Sequence, residues 1–214
     1  TRCGRNLEVI ILIFRRKLLV FITFLFLIIQ ITFPSISCVS ENHNGFISAA
    51  HDISYFISIQ SVINNANPGD IIIIQNGIYL ENIIIDKPLT LLGENKTRTI
   101  IKGNGQDDVI YIKSDNVNIR NITIQNGIND KSGIRIISDY CNIDNCIITN
   151  NSYGAILEFP GNNNVISSNL IINNYHTGLK IDCSNNLIIS NIIEKNNNGF
   201  EFYSGSDTVI HHNI

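Results

Sequence analysis

The side chains able to do chemistry are few, and their spacing says what they could do. Asp107 and Asp108 follow the Gly103-Asn104-Gly105 turn, and adjacent carboxylates can serve as general acid and base. An acidic pair in a turn is also the ordinary composition of a solvated corner. Asp144 and Asp182 stand apart from this pair. His211 and His212 are adjacent, His176 falls in a turn, and His43 and His51 lie far upstream. Successive strand residues point to opposite faces, so His211 and His212 are not expected to chelate one ion. With no Met and no clustered thiolates, soft copper ligation lacks its ligands. No catalytic set, metal site or cofactor is assigned from these residues.

Tyr140, Tyr153, Tyr175 and Tyr203 sit near turns, where an aromatic face can stack on a sugar ring, and they are the candidate binding residues. Cys141, Cys146 and Cys183 fall at apolar positions and read as small buried hydrophobes rather than as a disulfide framework or nucleophile. Sequons occur at Asn95, Asn121 and Asn150, and only Asn95 lies outside the repeat positions described below.

Composition and charge narrow the function classes. The 214 residues are 44% hydrophobic and 15% charged, with a net charge of −3, which excludes a wholly disordered chain. Ile (46) and Asn (32) fill over a third of the chain, and an AT-rich coding sequence would scatter them, whereas a structural cause places them at a period. The first 17 residues carry a net of +4, so the remainder carries −7. An acidic body argues against binding nucleic acid or anionic lipid through a basic surface.

Arg15, Arg16 and Lys17 precede an uncharged run from Leu18 to Ser40, followed inside its end by Ser35-Ile36-Ser37 before Cys38. A basic flank, an apolar core and small residues make a secretory signal pattern, which implies an extracytoplasmic, secreted or cell-surface protein. The alternative is an uncleaved anchor, through which residues 18–40 would hold the chain in a membrane. The organisation read from the sequence is thus a basic leader with signal or anchor helix over 1–40, a linker over 41–57, and a repeat domain over 58–214. The absence of Met and the abrupt stop at Ile214, one residue after Asn213, lead us to expect a fragment with further coils beyond Ile214.

Laid over itself, the chain repeats. GIRIISDYCNIDNCIITNNSY, GAILEFPGNNNVISSNLIINNYHT, GLKIDCSNNLIISNIIEKNNN and GFEFYSGSDTVIHHNI begin at Gly133, Gly154, Gly178 and Gly199. One column reads Asn121, Asn145, Asn169, Asn191 and Asn213, and a second reads Asn126, Asn150, Asn174 and Asn196. In the same frame, Val117, Cys141, Val165, Leu187 and Val209 form one apolar column and Ile122, Cys146, Leu170, Ile192 and Ile214 another. Ile124, Ile148 and Ile172 form a third. After each Gly the first and third positions are apolar, as in Ile134/Ile136 and Leu179/Ile181, with Arg135 or Lys180 between them. Alternation at period two, in runs too short for helices, predicts strands.

If each row is one coil of a solenoid, equivalent residues stack about 4.8 Å apart as parallel strands and bury the apolar columns. Asn side chains at the corners can then hydrogen-bond to their copies above and below. The expected fold is all-β, a right-handed parallel β-helix solenoid. Ile59, Val62, Ile63 and Ala66 share one helical face before Pro68-Gly69, so a short N-terminal α-helix is expected to cap the core. The runs 71–74, 81–86, 88–94 and 99–105 read as the first strands, with a turn around Gly77.

Gly69-Asp70, Gly77-x-Tyr79, Asp86-Lys87-Pro88-Leu89 and Gly103-Asn104-Gly105 carry a resemblance to the NosD-type family of right-handed β-helix proteins, over residues 58–214. The resemblance places the chain with carbohydrate-binding proteins and sugar hydrolases of the pectin-lyase-like superfamily. Hydrolases of that superfamily also use Asp, His-Gly and Arg-x-Lys elements on neighbouring coils, which are not found here. The leading expectation is a non-catalytic cell-surface protein whose partner is a polysaccharide or envelope component. The alternatives are a polysaccharide lyase or hydrolase with catalytic coils beyond residue 214, and a NosD-like accessory protein of copper maturation.

Overall fold

Strands of three or four residues such as Ile71–Ile74 and Ile83–Ile85 cannot stand alone, because their backbone polar groups need partners on both sides. The computed structural model describes residues 46–49, by their backbone, and 58–214, and shows how this chain supplies those partners. The leader and apolar segment expected over 1–40 lies outside the described residues. So does the expected linker over 41–57, apart from Phe46–Ala49, which forms a strand pairing in parallel with Ile71–Ile74.

The chain winds through three parallel sheets, visiting each in turn. The first holds Phe46–Ala49, Ile71–Ile74, Thr90–Gly93, Asn118–Arg120, Asn142–Asp144, Val165–Ser167, Leu187–Ile189 and Val209–His211. The second holds Gly77–Leu80, Thr99–Lys102, Thr123–Gln125, Ile147–Thr149, Leu170–Ile172 and Ile192–Glu194. The third holds Ile83–Ile85, Ile110–Ile112, Ser132–Ile136, Tyr153–Glu158, Thr177–Asp182 and Asn198–Ser204. This is a right-handed parallel β-helix of about six coils. The turn expected around Gly77 falls at Gln75 and Asn76, directly before it, and Gly77 already opens the strand Gly77–Leu80, in which Tyr79 is buried and its hydroxyl donates to the Gln75 carbonyl.

Register decides which residues form the core. Ile72, Leu91, Ile119, Ile143, Ile166 and Ile188 stack along the first sheet, all fully buried. Ile101, Ile124, Ile148 and Ile171 do so along the second. In the third, Ile110, Ile134, Ala155 and Leu179 align, as do Ile112, Ile136, Leu157 and Ile181. The third-sheet columns match the sequence frame. The other apolar columns match only in their first coils, where Val117, Cys141, Ile122, Cys146, Ile124 and Ile148 are fully buried; further on, Val165, Leu170, Ile172 and Leu187 are only half-buried, while Ile192 and Val209 are exposed.

The cause is a one-residue slip in the Asn frame. Strand register aligns Cys146, not Asn145, with Asn169. Asn169, Asn191 and Asn213 form the inward ladder at this corner: Asn191 Oδ1 accepts from the Asn169 backbone N–H at 2.9 Å and from Asn169 Nδ2 at 3.0 Å, and Asn213 repeats the pattern on Asn191. Asn121 and Asn145 sit one residue earlier, at φ 58° and 51°, and hydrogen-bond to each other instead. At the second corner the ladder is Asn151, Asn174 and Asn196. Asn150 is exposed at φ 55°, and Asn126 at φ 74° donates to the Gly103 carbonyl, so neither belongs to it. Asn favours both the left-handed turn position and the adjacent inward position, which is why residue type alone does not separate them. A third ladder runs through Asn164, Asn186 and Thr208, where Cys141 N–H donates to Asn164 Oδ1 at 2.8 Å.

Cys141 and Cys146 occupy the ladder columns in earlier coils, fully buried, and Cys183 is nearly so. Burial pushes the Cys146 thiol up to about 12, which leaves it neutral and inert. The helix Ile59–Asn65 places Ile59 and Ile63 in the same core cluster. Its first N–H groups donate to Glu81, from Ile59 at 2.8 Å and from Gln60 at 3.1 Å.

The glycine column reflects close approach. A Cβ on Gly154 would lie 2.4 Å from the Gly178 carbonyl oxygen, whereas one on Gly199 would meet nothing within 4 Å. Thermal unfolding should therefore show Gly154→Ala destabilised by about 2 kcal/mol or more through overpacking, with Gly199→Ala close to wild type. Asn191→Ala removes four side-chain hydrogen bonds to neighbouring coils, and denaturant titration should show a loss of about 1–3 kcal/mol.

Candidate functional site

Because Ile110, Ile112 and their equivalents point inward, the residue between them on each third-sheet strand must point out. That column is Tyr111, Arg135, Ile156, Lys180 and Glu201, in register across five coils. Lys113 Nζ lies 4.8 Å and the Arg135 guanidinium 5.9 Å from the centre of the Tyr111 ring. Lys180 Nζ lies 4.4 Å from the Tyr203 ring and 5.6 Å from the Tyr153 ring. Cations and tyrosine rings thus alternate along the solenoid axis, within range of cation–π attraction. Partial burial first, and then the Glu201 and Asp130 carboxylates, raise the Tyr153 phenol above its ordinary value, so its hydroxyl stays a donor.

The carboxylates of this face are already engaged. Arg135 Nε donates to Glu158 at 2.8 Å, and Arg135 Nη1 lies 3.6 Å from Asp108. The other Asp108 oxygen accepts from the Ser132 N–H and hydroxyl, each at 2.7 Å. Asp182 accepts from the Ser204 hydroxyl.

Beside this face, at the corner between the second and third sheets, lies a concavity of about 520 Å³. His176 joins the two regions: its ring is 5.2 Å from that of Tyr153 and 4.8 Å, edge to face, from that of Tyr175. Its Nε2 is 3.2 Å from Asp130 Oδ1.

Of the four tyrosines singled out by sequence, Tyr153, Tyr175 and Tyr203 therefore fall on one side of the solenoid. Tyr140 does not, lying in the turn between Ser132–Ile136 and Asn142–Asp144. Tyr111 was missed. The alternation Ile110-Tyr111-Ile112 was its signal, one row upstream of the glycine frame. Asp107 and Asp108 both hold the Asn82 side chain through their carbonyls, and the exposed Asp107 carboxylate lies 3.9 Å from Lys131. Asp144 is bound to Arg120 at 2.9 Å and to the Ser167 hydroxyl at 2.9 Å.

His211 and His212 were expected to diverge, yet their ring centres are 3.7 Å apart. His212 has φ 51°, outside the strand Val209–His211, so strand alternation does not govern it. Among the described residues no group of three or more His, Cys, Asp and Glu side chains is placed to hold a metal ion. The sequon residues Asn95 and Thr97 are exposed and hydrogen-bonded to each other.

A search of the curated proteins found no match. Among solved structures, ORF18 of Geobacillus virus E2 superposes with TM-score 0.56 at 19% identity, covering 72% of this chain and 38% of that one. A pectin methylesterase from carrot superposes with TM-score 0.52 at 17% identity, covering 79% of this chain and 65% of that one. The chain thus spans about two fifths of the viral protein and just under two thirds of the plant one, and the likeness is one of fold. The sequence model described as a right handed beta helix region matches residues 93–214, more than half of the chain, which therefore belongs to that family.

Proposed function

We propose that this chain is a non-catalytic, exported protein that binds a polysaccharide or cell-envelope glycan along the outer face of its third sheet. The alternation of tyrosine rings and cations from Tyr111 to Tyr203 is the observation that carries this reading. Four coil spacings of about 4.8 Å make a track of roughly 19 Å, along which an extended glycan meets successive stacking partners. Asp108 and Glu158 are both paired with Arg135, so neither stands free on this face as the acid and base of glycoside hydrolysis would. That the carrot neighbour is a pectin methylesterase is consistent with a glycan ligand on this fold. The signal pattern over residues 1–40 supports export, and the motifs from Gly69 to Gly105 support a NosD-type placement within the family. The helix Ile59–Asn65 closes the end of the core in this reading.

Affinity electrophoresis against a panel of cell-wall polysaccharides tests the binding. At least one should retard the protein, and Lys180→Ala or Tyr203→Ala should weaken that retardation by up to about tenfold, with no new reducing ends released. Retardation by none, or unchanged retardation in both variants, sinks the reading. For the closing helix, Glu81→Ala should lower thermal stability by about 1–2 kcal/mol through loss of its N-terminal partner.

A further inference from the structure

The concavity at the corner between the second and third sheets has its own chemistry, distinct from that of the third-sheet face. Asn150 and Asn173 both adopt left-handed backbone at φ 55°, are exposed, and have side chains without a hydrogen-bond partner among the described residues. The residues following them, Asn151 and Asn174, are consumed by the inward ladder. The corner thus repeats a pair in which one Asn holds the coils together and the other presents its carboxamide to solvent. Asp130 completes the polar lining: one oxygen rests on His176, and the side chain is 83% exposed. Tyr175 forms one wall and is 77% exposed, its ring held edge-on by His176.

We propose that this concavity is a binding subsite for a single uncharged sugar residue. A carboxamide both donates and accepts, and a carboxylate accepts from two donors, so Asn150, Asn173 and Asp130 together match neighbouring sugar hydroxyls. The Tyr175 ring offers a face for the apolar side of a pyranose. The volume falls within the range of about 300–1,000 Å³ usual for small-ligand sites. Charge sets the ligand class. No Lys or Arg lines the concavity, and its one carboxylate, Asp130, would repel a second, so a uronic acid meets no Lys or Arg counter-charge here and is disfavoured against a neutral sugar. The subsite rests on the glycan-binding reading of the chain and adds to it a ligand class that the cation-bearing third-sheet face does not specify.

The test uses the full chain, small probes and calorimetry or saturation-transfer NMR. Methyl glycosides of glucose, galactose and mannose are compared with galacturonic acid, which differs from galactose by its carboxylate. At least one neutral glycoside should bind, and about tenfold more tightly than galacturonic acid. Tyr175→Ala and Asn173→Ala should each weaken that binding several-fold, Asp130→Asn should narrow the gap to galacturonic acid, and Leu80→Ala on the second sheet should change nothing. Circular dichroism confirms folding, and Tyr175 is exposed enough for its removal to be tolerated. No binding of any neutral glycoside, equal or tighter binding of galacturonic acid, or an unchanged Tyr175→Ala overturns the proposal. Polysaccharide retardation that depends on Lys180 without small-sugar binding would leave the face standing and the subsite refuted. Tyr175-dependent small-sugar binding without retardation would do the reverse.

Discussion

Every strand of this solenoid depends on the backbone hydrogen bonds between successive coils. A three-residue strand has too little surface to hold its place by side-chain packing, and its peptide groups are costly to bury unpaired. In-register parallel stacking resolves both difficulties, since each coil supplies partners for the next and places Ile over Ile in a continuous core. The glycine column follows from the same constraint: at Gly133, Gly154 and Gly178 the neighbouring coil's backbone passes so close that a Cβ would strike it.

The corners are where a parallel sheet would otherwise leave groups unpaired. Here two adjacent positions do different work. One takes the left-handed conformation that reverses the chain, and the next sends an amide inward to bond with coils on both sides. Asn suits both, and earlier coils use Cys141 and Cys146 at the inward position, where Cys146 N–H still donates to Asn169. The ladder extends as far as each inward position can accept a hydrogen bond from the coil before it.

A structure that repeats every coil also determines how its surface can be used. Outward residues of one sheet line up in columns, so tyrosines and cations separated by some twenty residues become neighbours, as with Lys180 and Tyr203. Tyr153, Tyr175 and Tyr203 converge because their rows place them on or just before the third sheet. Tyr140, of the same residue type and equally near a turn, falls at a different corner. The function of such a surface resides in the side chains carried by the scaffold rather than in the scaffold itself.

From the sequence alone, the glycine rows, the alternation after each Gly and the repeat length determined a parallel solenoid and the correct third-sheet core, because period-two burial and close approach each demand particular residue types. The same rows placed Asn145, Asn150 and the columns of Val165 and Leu170 one residue out of register, because Asn is acceptable at both of two neighbouring positions and Ile abounds on both faces. Only the tertiary structure decided between them, through pairing that requires each backbone donor to meet its acceptor in the next coil. It likewise decided that Tyr111 joins the cation-bearing face and that Asp130 meets His176 across 46 residues, a relation set by how coils stack and not by any spacing within one.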